Sequence, residues 1–120
     1  MTATNYRQLT QAISANLAPL RQTQPGVMKG FGEMGKAAMA GGALDPKTKE
    51  LIALAVGVAA RCDGCIGFHA KALARLGASV EEVHEALGVA IYMGGGPVAM
   101  YAANAVAAFD EFTAPAPQPA

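Results

Sequence analysis

From Ala86 to Phe109 the chain carries no charged side chain, a stretch long enough to cross a bilayer. Its middle argues against that. Gly94-Gly95-Gly96-Pro97 interrupts the stretch and Asn104 follows. Each half is then too short for a hydrocarbon core of about 30 Å. Two buried apolar helices joined by a glycine turn are the expected outcome. The bias extends beyond this segment: 52% of the 120 residues are apolar and 15% are charged, against about 45–50% and 25% in ordinary soluble domains. One core of this size cannot hide that much apolar surface, which predicts a large subunit interface and a homo-oligomer. Nine basic residues balance nine acidic ones. The balance removes the electrostatic ground for nucleic acid or an anionic membrane as a partner.

Nothing in the chain alternates with the period of a strand, and alanine is abundant, so the fold class is all-α. Tyr6, Leu9, Ile13, Leu17 and Leu20 recur at helical steps and give an amphipathic first helix. Pro25 opens a second, glycine-rich helix with Val27, Phe31, Met34 and Ala38 in register, and Gly41-Gly42 ends it. Asp45 and Pro46 are a cap and a first helical residue for the third. From Leu51 to Ala60 that helix is apolar on every side, which places it centrally in the fold or the assembly. A fourth helix begins at or just before Cys65 and stops at Gly77. Ser79 and Glu82 form a capping box for the fifth, with Val80, Val83, Leu87 and Ile91 on its apolar stripe. A sixth runs from Pro97 to about Phe112. Residues 1–112 then make one domain, and residues 113–120 a flexible Pro/Ala-rich tail. Met28, Met34, Met39, Met93 and Met100 are expected to fill gaps in the core or an interface.

The only two cysteines, Cys62 and Cys65, are spaced C-x-x-C, and His69 follows one turn after the second. The start Met1-Thr2-Ala3-Thr4-Asn5-Tyr6-Arg7 lacks the layout of a secretory signal, so the expected compartment is the reducing cytoplasm. There such a pair is more often catalytic or metal-binding than a structural staple. Residues 62, 65 and 69 share one helical face. At the first turn of a helix, free N–H groups and the dipole favour a thiolate. Cys65, with His69 four residues on as base, is the better nucleophile, and Cys62 is the partner that would trap an oxidised Cys65. The arrangement suits peroxide reduction and dithiol–disulfide exchange alike. Two small core residues are the plain alternative. Zinc is another, but C-x2-C-x3-H supplies three ligands and Glu50 or His84 would have to complete a structural site. Haem attachment requires a histidine where Ile66 stands. Glu50 by position reads as an exposed first-turn glutamate. In a straight antiparallel hairpin turning near Arg61–Gly64, His69 would face Ala55, more than a turn away from it.

Leu44-Asp45-Pro46-Lys47-Thr48-Lys49-Glu50-Leu51-Ile52-Ala53-Leu54-Ala55-Val56, the segment Cys62 to His69, and Leu76-Gly77-Ala78-Ser79-Val80-Glu81-Glu82 together resemble the carboxymuconolactone decarboxylase family, and within it the alkylhydroperoxidase D-like branch. The resemblance covers about residues 25–112, and E-x11-C-x2-C-x3-H is its specific part. It implies a helical fold assembling as a homotrimer or homohexamer. The activity it implies is hydroperoxide reduction through the cysteine pair, with no metal or bound organic cofactor and with re-reduction by lipoyl groups or a thioredoxin-type dithiol. It further implies that Cys65 attacks the peroxide, that Cys62 resolves, and that His69 and Glu50 relay the proton. Gly64 stands where some members carry a second histidine, and loss of that donor counts against efficient peroxide reduction and leaves general disulfide reduction more open. The decarboxylases proper generally lack the cysteine pair, so Cys62 and Cys65 count against lactone decarboxylation.

Overall fold

Each helix begins at a residue suited to start one. In a computed structural model, which describes residues 5–115, the six are α1 (Tyr6–Thr23), α2 (Pro25–Met39), α3 (Pro46–Ala59), α4 (Asp63–Arg75), α5 (Val80–Gly94) and α6 (Gly96–Thr113). The side chains of Asn5 and Asp45 accept from the N–H groups of Gln8 and Thr48 at 3.0 and 2.7 Å. Ser79 and Glu82 close their capping box reciprocally. No strand occurs among the described residues. Of the tail expected at 113–120, Thr113 is the last residue of α6, and 116–120 lie outside the described residues. The uncharged stretch is two helices, as its glycine turn requires, with Gly95 at φ 77° between them. Among the described residues no helix is long and apolar enough to cross a membrane.

The core lies where α3, α4, α5 and α6 meet. Leu54 and Val58 from α3, Ile66 and Leu73 from α4, and Val83 from α5 are fully buried. They pack against Ala102, Ala105 and Ala108 of α6. Those alanines let α4 and α6 approach closely, with Ala70 wholly buried. α1 joins through its N-terminal half, with Tyr6 and Thr10 buried and Ile13 against Gly64 of α4. Tyr6 is in the core, and the N–H groups of Tyr6 and Arg7 donate to the Glu111 carboxylate at 3.0 and 2.8 Å. The Arg7 guanidinium donates to the carbonyls of Glu111 and Ala114 and lies 5.4 Å from the Phe112 ring centre.

The apolar faces are covered unevenly. The α1 stripe is buried only at its start, and Leu20 runs out into solvent. α2 has no buried residue: Val27, Phe31 and Met34 are exposed. α3 is central on one side only, since Ile52 and Val56 face outward. None of the five named methionines is buried, so they do not fill this core. In each case the periodicity that makes the helix is present, but the neighbour that would cover it is not part of this chain's bundle.

Candidate active site

The site is built on the turn from α3 to α4. α3 ends at Ala59 with Ala60 as its cap, Arg61 takes the left-handed conformation at φ 58°, and the Cys62 N–H returns to the Gly57 carbonyl at 3.0 Å. A non-glycine residue there costs about 1 kcal/mol, offset by the carbonyls that the turn satisfies. α4 therefore starts at Asp63, just before Cys65 as expected, with Cys62 as its cap. Cys62 Sγ accepts from the Cys65 N–H at 3.2 Å. The two sulfurs are joined as a disulfide across a Cα–Cα distance of 5.2 Å, ordinary for such a bond. Both lie at the helix N-terminus, where N–H groups without helical partners stabilise negative charge on sulfur.

His69 Nδ1 lies 2.7 Å from Glu50 Oε2. This overturns the reading of Glu50 as an exposed first-turn residue: its side chain is 15% exposed and that of His69 32%. The cause is the close approach of the two helices. A Cβ on Gly57 would sit 3.0 Å from the Cys65 Cβ, so Gly57 is level with Cys65 and His69 is level with Ala53 rather than Ala55. One turn remains, about 4.5 Å of rise, and two long side chains span it. Opposite an ionised carboxylate, which only accepts, Nδ1 is the donor of this contact and Nε2 is left free. Cys65 lies one turn before that imidazole on the same face.

Two open apolar clefts meet at these residues. One, of about 490 Å³, lies between α3, α4 and the end of α2, and Met39, Leu44, Ile52, Val56, Cys65 and His69 are in its wall. The other, of about 520 Å³, runs between α1, α2 and α4 past Ile13, Phe31, Phe68, Cys62 and Cys65. Gly64 lines the second, and a Cβ there would meet Ile13 Cδ1 at 2.9 Å. An aliphatic side chain from α1 thus occupies the space that a residue at 64 would use. Lys49 lines the first cleft and donates to the carbonyls of Ala38 and Ala40 at 2.9 and 2.6 Å. That closes the C-terminal end of α2 against α3.

The site thus brings together Cys62, Cys65, His69 and Glu50. His84 is elsewhere, in a separate cleft between α5 and α6 with Leu87 and Val106, and cannot complete a zinc site with the cysteines. Among the described residues no cluster of three or more His, Cys, Asp or Glu side chains is arranged to hold a metal. Sequence reasoning missed Tyr6, whose hydroxyl donates to Asp63 Oδ1 at 2.9 Å. Burial, then the bond to Asp63 and its charge, push the Tyr6 phenol well above its usual pKa. No signal along the chain linked them, since 57 residues separate Tyr6 from Asp63 and Tyr6 looked like one more member of the α1 stripe.

The family model described as the carboxymuconolactone decarboxylase family matches residues 25–108. The chain belongs to that family. A carboxymuconolactone decarboxylase family protein of Legionella pneumophila, solved in its apo form, is 51% identical. That superposition covers 91% of this chain and 97% of that one, with a TM-score of 0.89. A family protein of Thermotoga maritima, for which involvement in an antioxidative response has been suggested, is 32% identical, with 90% and 89% covered and a TM-score of 0.72. An uncharacterised protein of Cupriavidus necator is 42% identical over 114 residues, which is 95% of this chain and all of that one. The family's matched segment contains the four site residues and both helices of the hairpin. α1, with Tyr6 and Ile13, lies before it.

Proposed function

We propose that this carboxymuconolactone decarboxylase family protein is a thiol-dependent oxidoreductase of the alkylhydroperoxidase D-like kind, reducing hydroperoxides or disulfides. The Cys65 thiolate attacks the terminal peroxide oxygen and the O–O bond breaks. The alcohol leaves with a proton supplied through His69, and Cys65 becomes a sulfenic acid. The Cys62 thiol attacks that sulfur, water leaves, and the disulfide forms. An external dithiol, a lipoyl group or a thioredoxin-type protein, then returns two electrons and two protons and closes to its own disulfide. Glu50 holds the imidazole in its working tautomer and stabilises the imidazolium. No metal or bound organic cofactor takes part. The reading includes a homotrimer or homohexamer in the cytoplasm, for which the exposed apolar residues of α2, α3 and α5 are the motive.

One observation carries it: the Glu50–His69 contact beside a paired Cys62 and Cys65 at a helix N-terminus. The family protein of Thermotoga maritima, for which involvement in an antioxidative response has been suggested, points the same way. The test is peroxide-dependent oxidation of a lipoyl or thioredoxin reductant. Cys65→Ser is expected to abolish it, while Cys62→Ser allows one oxidation and then stalls. Mass spectrometry of peroxide-treated protein should find the Cys62–Cys65 disulfide. Thiols that both stay free in excess peroxide would sink the proposal, and full peroxide turnover by the double serine variant would do the same.

A further inference from the structure

Asp63 lies between the two cysteines, at the first position of α4. Its charge has the wrong sign there. An anion beside a thiolate raises the thiol pKa, and it competes for the same free N–H groups at the helix start. The geometry turns it away. Asp63 Oδ1 accepts from the Tyr6 hydroxyl at 2.9 Å, on the α1 side of α4. The described linings of both clefts at the sulfurs include Cys65 and His69 but not Asp63.

Tyr6 is fixed from every direction. It is 1% exposed, and its N–H is held by Glu111 of α6 at 3.0 Å. Its ring packs over Gly67, where a Cβ would lie 3.3 Å from Tyr6 Cδ1 and 2.7 Å from Thr10 Cγ2. Burial and the neighbouring acids keep the phenol protonated, so it remains a donor through the neutral range. Its placement depends on α1, a helix before the segment that the family model matches.

We infer that Tyr6 is a positioning residue: by holding the Asp63 carboxylate toward α1, it keeps that charge off the Cys62–Cys65 pair and sets the pair's redox equilibrium. The inference rests on the redox role proposed above. Around the sulfurs, the other titratable groups are His69 on α4, Glu50 and Lys49 on α3, and the exposed Arg61 at the turn. α2 contributes Phe31, Ala38 and Met39, none of which titrates. In the reductive half, an external dithiol attacks the Cys62 sulfur and the S–S bond breaks, releasing Cys65 as a thiolate. The second thiol of the carrier then displaces Cys62 and closes the carrier's disulfide. Two electrons and two protons have moved to the pair. A carboxylate freed to approach α4's first N–H groups destabilises that thiolate and with it the reduced form.

The test is equilibration of the purified full chain with glutathione buffers, reading the dithiol–disulfide ratio, with the Cys65 thiolate followed by its ultraviolet absorbance against pH. Tyr6→Phe is expected to shift the equilibrium about three- to tenfold toward the disulfide, roughly 15–30 mV, and to raise the thiol pKa. Asp63→Asn should shift both in the opposite direction. The double variant should follow Asp63→Asn alone, because Tyr6 acts through the carboxylate. A Tyr6→Phe effect of the same size with and without Asp63→Asn overturns the inference. So does a lower melting temperature with an unchanged equilibrium, which would give Tyr6 a packing role only. If the cysteines form no reversible disulfide with glutathione, the redox function itself fails. A reversible pair that ignores Tyr6 defeats this inference alone.

Discussion

Helices α2 and α3 are similar in length, 15 and 14 residues, both apolar, and both opened by a proline. They end in opposite situations. α3 inserts Leu54, Gly57 and Val58 into the core, while α2 buries nothing. Yet both wall the candidate site: α3 supplies Glu50 and the base of one cleft, and α2 supplies Phe31 to the other. The contrast separates two jobs of an apolar helix. Burial of one face of α3 holds Glu50 in register with α4, whereas α2 leaves its apolar surface open beside the clefts. Its tether to α3 includes the two Lys49 bonds, which an exposed side chain can release.

The strongest way to break this contrast is a pair of truncations. Leu54→Ala should cost about 2–5 kcal/mol in urea unfolding. Phe31→Ala should stay within about 0.5 kcal/mol in a dilute monomer. If the two costs are equal in a concentration-dependent unfolding curve, α2 is packed against a partner subunit in solution. Next comes Gly57→Ala, which puts a methyl group where the Cys65 Cβ already sits at 3.0 Å. Overpacking should cost about 1–3 kcal/mol. It should also slow peroxide turnover, because α4 moves away from α3 and His69 from Glu50. Unchanged turnover would show that the site does not need the close helix approach.

The smallest effect concerns an anchor that α3 has and α2 lacks. Lys47 and Glu82 tie the first turns of α3 and α5 at 2.8 Å. The bond from Lys47 and the Ser79 N–H hold the Glu82 carboxyl below its usual 4.5. A folded-state pKa depressed in this way contributes stability above the unfolded value, and that contribution disappears as pH falls through the folded one. The pair is on the surface, so the effect is small. Melting temperatures from pH 6 down to about 3 should fall slightly less steeply in Glu82→Gln than in the parent. An identical slope would mean that the ion pair adds nothing.

Much of the fold was legible along the chain because helix punctuation is local. Asp45-Pro46, Ser79 with Glu82, Gly77 and the turn at Gly94–Pro97 act through a few neighbouring bonds, and each fell within two residues of its expected place. Cys62, Cys65 and His69 were legible for the same reason, being one helix turn apart. Glu50 was legible only through the family resemblance and not from its spacing, because its distance from His69 depends on how deeply α3 and α4 interlock. A straight hairpin with a looser turn gave the wrong level by two residues, and Arg61 in the left-handed conformation with the bare Gly57 surface made up the difference. Asp63 and Tyr6 were invisible as a pair, since 57 residues separate them.

From sequence alone came six helices, a chain unusually poor in charge, and a cysteine pair with its histidine at a helix start. Those follow from periodicity, capping chemistry and the i to i+4 spacing, which need no partner from elsewhere in the chain. Only the tertiary structure decided which apolar faces are covered. Only it brought Glu50 to His69 and turned Asp63 from the sulfurs toward Tyr6. Contacts of that kind are set by crossing depth and by the small residues Gly57 and Gly67, where the absence of a side chain is itself the determinant. A missing atom leaves no periodic signal until its neighbour across the interface is known.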